Sequence, residues 1–133
     1  MKYFSYFLIA IFFSSCASNE IKTIKGSWKQ EFISYKSNPT IILAPNDEPL
    51  IEIAKKRSKL LIEFNFNDGY DNDKTDSIEF QFPQLKFKKI NLDKQANYYD
   101  LVYHPSCDCF LGEMESFSGN ILNIKLTRIL VHK

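Results

Sequence analysis

Glycine and proline are scarce in this chain, at four and five of 133 residues, which excludes collagen-like, linker-like and low-complexity architectures. An excess of charge of one sign is lacking as well, since 17 Lys and Arg face 16 Asp and Glu. Without a basic excess or a basic block, nothing points to nucleic acid as a partner. Histidine occurs only at His104 and His132, and no G-x-S-x-G, H-E-x-x-H or phosphate-cradling glycine loop is present. Catalysis therefore has no motif to rest on, and no cofactor is implied. A membrane-crossing run of about 20 apolar residues is missing too. The chain instead opens with Met1-Lys2 and a shorter apolar run, Tyr3 to Phe13, which polar Asn19, Glu20 and Lys22 follow closely.

A positive head and an apolar run of about eleven residues are the layout of a secretory signal peptide. The run ends in Phe13-Ser14-Ser15-Cys16. Small residues directly before a cysteine resemble the lipobox of bacterial lipoproteins, with Phe13 where leucine is usual. The resemblance implies cleavage before Cys16, diacylglycerol on its sulfur and attachment to the bacterial envelope, with the outer membrane as the expected location. Ordinary cleavage nearby would leave a free cysteine instead. One acyl chain holds a protein only marginally, whereas two or more hold it stably. The expected organisation is a signal peptide over 1–15, a lipidated N-terminus and tether over 16–25, and one domain over 26–133.

Cleavage before Cys16 leaves 118 residues with 16 basic and 16 acidic side chains. That length is enough for one small domain with its own core. Eight of the 12 Phe, five of the seven Tyr and Trp28 remain to fill it. Most of this part reads as strand, from its alternation and its aromatic and β-branched content. A first strand covers Ser27 to Tyr35, with Trp28, Gln30 and Phe32 on one face and Ile33 and Tyr35 on the other. A short one covers Thr40 to Leu43. In KLLIEFNF, Leu60, Ile62, Phe64 and Phe66 share a face, and in SIEFQF so do Ile78, Phe80 and Phe82. Turn chemistry from Asn67 to Asp76 predicts that these two runs form a hairpin. Later strands are expected at Asn97–His104, Cys109–Phe117 and Ile121–Leu130, the last two joined by Ser118-Gly119-Asn120. The segment Asn46–Ser58 carries acids first and bases last, which favours a short helix over the competing hairpin. The fold class is all-β, an antiparallel up-and-down barrel whose closure removes exposed edges.

Gly26-Ser27-Trp28 opens the first strand, and Arg128 lies on the apolar face of the last, beside Leu122, Ile124, Leu126 and Leu130. This pattern resembles the lipocalin-like lipoprotein domains. The resemblance implies that Arg128 packs across the Trp28 indole and ties the first strand to the last. A guanidinium over an indole gains a cation–π attraction that grows when water is excluded. The chain is shorter than typical lipocalins and lacks their T-D-Y motif.

The cluster His104-Pro105-Ser106-Cys107-Asp108-Cys109 leaves three states open: a Cys107–Cys109 disulfide, free thiols, or a soft-metal site completed by His104. Extended residues two apart stand about 6.5–7 Å apart, so a disulfide requires a local turn. Asp68, Asp71, Asp73 and Asp76 do not meet the EF-hand spacing and read as a solvated loop. Glu113 and Glu115, two apart on one strand, read as an exposed face. The leading expectation is a non-enzymatic, lipid-anchored binding module whose Phe64, Phe66, Phe80 and Phe82 line a site for a small hydrophobic ligand. The alternative is an interaction or inhibitor lipoprotein in which the same rings fill the barrel and an envelope protein is the partner.

Overall fold

The computed structural model describes residues 19–43, 50–65 and 73–130. The described chain opens with a helix at 19–24. Nine antiparallel strands follow: β1 (Gly26–Tyr35), β2 (Asn38–Ile42), β3 (Leu50–Lys56), β4 (Lys59–Asn65), β5 (Lys74–Gln81), β6 (Gln84–Ile90), β7 (Ala96–His104), β8 (Cys109–Glu115) and β9 (Ile121–Arg128). Eight of them run in the order β4-β3-β1-β9-β8-β7-β6-β5, and β2 pairs with β1 beside that path. The first and last strands lie side by side, with Trp28 opposite Arg128. The sheet thus curls into a nearly closed barrel, as the all-β reading requires.

The segment expected to be helical is strand where it is described. Ile51 and Ile53 are both buried, Ile51 between Trp28 of β1 and Phe64 of β4, and Ile53 between Gly26 and Ile62. That two-residue period outweighs the ordering of charges, which is worth only tenths of a kcal/mol at an exposed helix end. The turn joining β3 to β4 has positive φ at both Arg57 and Ser58. This is the backbone of a tight primed hairpin turn, but without the Asn-Gly signature that would announce it.

A second correction concerns pairing. β4 pairs with β3 and β5 with β6, and no ladder joins β4 to β5 among the described residues. The expected hairpin of KLLIEFNF with SIEFQF is instead the barrel's seam. β5 finds its partner across the two-residue turn Phe82-Pro83, with Gln81 opposite Gln84. That partner, β6, escaped the sequence reading because Leu85 and Phe87 are flanked by lysines. Phe82 lies in the turn rather than in β5.

Inside, the rings rest on one another. Phe87 and Tyr99 stack with centroids 4.5 Å apart and planes 9° apart, and Phe64 lies 6.0 and 5.9 Å from them. Trp28 meets Phe110 edge-on at 4.8 Å. Leu85, Leu101, Ile124 and Leu126 are fully buried among these rings. Gln30, buried in their midst, is satisfied, because the Tyr99 hydroxyl donates to Gln30 Oε1 at 3.2 Å. Buried polar groups keep their place only with such partners. A bulge in β1 between Phe32 and Ser34 sets Ser34 opposite Asn123, whose Nδ2 donates to Ser34 Oγ at 3.0 Å, so that Ser34 is buried without joining the apolar core.

Candidate functional site: the barrel floor

The floor is assembled where the helix at 19–24, the start of β1, the end of β9 and the β7–β8 loop converge. Arg128, at the end of β9, sits with its guanidinium carbon 4.3 Å from the centre of the fully buried Trp28 ring. Gly26 admits it, since a Cβ there would stand 2.8 Å from Arg128 Nη1, and the backbone φ is +137°. Only glycine adopts that conformation readily. Gly26, Trp28 and Arg128 therefore meet at one junction between the first strand and the last.

Arg128 does more than cover the indole. Its Nη2 donates to Thr23 O and its Nη1 to Lys25 O, while Trp28 Nε1 donates to Ile24 O at 3.0 Å. The last carbonyls of a helix lack intrahelical donors and must find others. Here three consecutive ones are taken up by β1 and β9 side chains. A cation at this end also suits the helix dipole. Ile24 is fully buried beneath the junction. The stretch expected to be a short tether is helical over 19–24 and is held to the barrel floor through buried Ile21 and Ile24.

The other side of the guanidinium faces Asp108. Arg128 Nε donates to Asp108 Oδ2 at 2.8 Å, Nη2 to Oδ1 at 3.2 Å, and the Tyr103 hydroxyl to Oδ1 at 2.7 Å. Hydrogen bonds from Arg128, aided by Tyr103, hold the Asp108 carboxyl below the usual carboxylate range against the opposing effect of burial. Burial, and then the bond to Asp108, pushes the Tyr103 hydroxyl above its ordinary value. A planar fork donating to two carboxylate oxygens is geometry that lysine lacks.

Asp108 is positioned by its neighbours. Cys107 and Cys109 form a disulfide across it, with Cα atoms 5.2 Å apart. The turn that such a bridge needs is present: Cys107 N donates to His104 O and Asp108 N to Pro105 O, each at 3.3 Å. Asp108 itself has φ +47°, a conformation that its short polar side chain tolerates better than most. With both sulfurs bonded to each other, His104 has no thiolate partner for a metal. Among the described residues no group of three or more His, Cys, Asp or Glu is placed to hold one.

The remaining sequence expectations scatter. Phe64 is buried against Phe87 and Tyr99. Phe80 and Phe82 are partly buried, in contact with each other and, through Phe82, with Tyr103. Phe80 also lines a groove of about 370 Å³ at the seam with Ile21, Lys59, Leu60 and Ile78. Asp73 is not merely solvated but pairs with Lys89 at 3.1 Å, and Asp76 accepts from Ser77 N at 2.7 Å. Glu113 pairs with Lys36 at 2.9 Å on the outer face, and Glu115 is exposed beside it in sequence. Cys16, Phe66, Asp68, Asp71 and His132 lie outside the described residues. Asp108 and Tyr103 were missed as site residues. The only signal for them was an acid enclosed between two cysteines, with a tyrosine five residues before it. No family model matches the chain, and no similar curated protein or solved structure is found.

Proposed function

We propose that this protein is a lipid-anchored module of the bacterial envelope that works by binding a protein partner on its outer surface, without catalysis. The observation that carries this reading is one buried core within the barrel, in which two groups of rings, Trp28 with Phe110 and Phe64 with Phe87 and Tyr99, pack together with fully buried Ile51, Leu85, Leu101 and Leu126. Side chains occupy the space in which a lipocalin-like barrel would hold a ligand; small barrels serve either way. The signal-like opening and the lipobox-like Ser14-Ser15-Cys16 support attachment through Cys16, with the outer membrane as the destination. On the outer face Ile33 (41% exposed), Leu111 (38% exposed) and Val102 line one shallow groove beside Glu113 and Asn123. Apolar side chains gathered with a polar rim fit a protein contact better than a soluble surface left alone.

The test is a photo-cross-linking amino acid placed at Leu111 in the full lipidated chain, in its own cells. The expected result is an adduct with one protein that disappears when Ile33 is also replaced by Asp. An adduct of unchanged yield in the Ile33→Asp chain would reject this face. The competing reading, a small apolar ligand, is favoured only by the seam groove around Phe80 and Leu60. Its volume lies at the lower end of small-molecule sites.

A further inference from the structure

The Cys107–Cys109 bridge stands in an unusual relation to the floor. It encloses the single residue, Asp108, that holds the far side of Arg128. Arg128 in turn holds the carbonyl end of the helix at 19–24. The bridge keeps the Cys107 and Cys109 Cα atoms 5.2 Å apart, nearer than the roughly 6.5–7 Å of two residues in a strand. Asp108 therefore cannot leave its left-handed turn while the bridge stands. Cys109 is buried in β8 and paired with Thr127, whereas Cys107 is exposed. The movable side of the bridge is also the side that a reductant can reach.

We propose that the Cys107–Cys109 disulfide is a redox latch: it fixes Asp108 against Arg128, and its reduction frees Arg128 to release the helix at 19–24 from the barrel floor. The reductant is a dithiol. One of its thiolates attacks the Cys107 sulfur, the Cys107–Cys109 bond breaks, and Cys109 leaves as a thiolate that takes up a proton. The second thiol of the donor then attacks its own sulfur in the mixed disulfide and frees Cys107, so that the donor ends oxidised and the loop holds two thiols. Relieved of the bridge, the loop can extend and carry the carboxylate away from the guanidinium.

The consequence at the membrane rests on the reading of Cys16 as the lipid anchor. With the helix docked, only the three steps from residue 16 to residue 19 separate lipid from domain, at most about 11 Å of chain. With the helix released, the ten steps to Gly26 become available, at most about 36 Å. Reduction would thus set how far the barrel stands from the bilayer.

The experiment is amide hydrogen exchange of the full chain in detergent, oxidised and after treatment with dithiothreitol. The reporter is the Lys25 amide, which is bonded to Ile21 O, and the control is the β3–β4 pair Ile53 and Ile62. Reduction is expected to speed exchange across 19–25 about tenfold, on the scale of losing a charge-assisted hydrogen bond, and to leave the control unchanged. In Asp108→Asn the same peptides should exchange quickly in both states, and in the Cys107→Ser/Cys109→Ser chain they should match the reduced protein. Equal rates at 19–25 in oxidised and reduced protein would overturn the latch, as would a parallel rise in the control. Neither outcome touches the reading of the barrel as filled and partner-binding, because exchange at these amides involves neither partner nor ligand.

Discussion

A cation lies over an aromatic ring, with a carboxylate behind it, at two places far apart along β6 and β7. At the floor Arg128 covers Trp28 and meets Asp108; near the other end Lys89 stands 4.6 Å from the centre of the Phe64 ring and meets Asp73. The chemistry is alike, but the connections differ. Arg128 spends its planar fork on two carboxylate oxygens and two helix carbonyls, and so joins β9, the β7–β8 loop and the helix in one junction. The Lys89–Asp73 pair joins the residue before β5 to the end of β6, two strands that already neighbour each other in the ladder. An ion pair matters most where it holds elements that backbone pairing does not, because elsewhere its Coulomb gain is offset by desolvation and lost side-chain freedom.

The largest effect expected from breaking this asymmetry comes from the rings. Trp28→Ala and Phe64→Ala should each cost about 3–5 kcal/mol in urea unfolding, the usual range for truncating a buried aromatic. Only Trp28→Ala should also free the helix, seen as rapid exchange over 19–25, because Trp28 Nε1 caps Ile24 O. Equal exchange in the two variants would mean that the ends do not differ.

Next comes Gly26→Ala, expected to cost about 2 kcal/mol. The new Cβ would meet the Arg128 guanidinium in a backbone conformation that costs about 1–3 kcal/mol for other residues. Arg128→Lys should follow at about 1.5–2 kcal/mol, since lysine cannot serve four acceptors in one plane. Lys89→Arg should cost less, about 0.5–1 kcal/mol, because the charge is kept and β5 and β6 are already paired, even though the Lys89 side chain is only 14% exposed. A larger loss at Lys89 than at Arg128 would reverse the comparison.

The smallest effect is the dependence on acid. Asp108 has its folded pKa below the unfolded value, so its contribution is present above the ordinary carboxylate pKa and is lost as pH falls below about 4. The side chain is 46% exposed, and solvent screening keeps this contribution under about 1 kcal/mol. In thermal unfolding at graded pH, wild type should converge toward Asp108→Asn below pH about 4. Parallel curves throughout would mean that Asp108 does not titrate against Arg128.

Much of the barrel was legible because strand faces repeat every two residues. Trp28, Gln30, Ile62, Phe64, Ile124 and Leu126 are all buried on the face that their alternation requires, and the pairing of β1 with β9 departs from regular register at one bulge, between Phe32 and Ser34. Pairing was harder to read. Arg57-Ser58 and Phe82-Pro83 form tight turns without the Asn-Gly chemistry that marks them, so the sequence favours a helix over β3 and a pairing of β4 with β5. At the floor, Gly26, Trp28 and Arg128 could be named from their spacing. Asp108, Tyr103 and the helix carbonyls could not, because contacts between residues as far apart as Thr23 and Arg128 have no local signature. The cysteines left three states open, and the turn at 105–108 is what favours the disulfide.

The proposed function requires that packed rings, not a ligand, fill the barrel. Its most direct test is titration of the domain from Asn19 onward with apolar probes — fatty acids, sterols and haem-like molecules — followed through the fluorescence of Trp28, the single tryptophan. No saturable change is expected at any probe concentration below the onset of probe aggregation. A one-site saturable change that Phe64→Asp abolishes in a still-folded domain would contradict it.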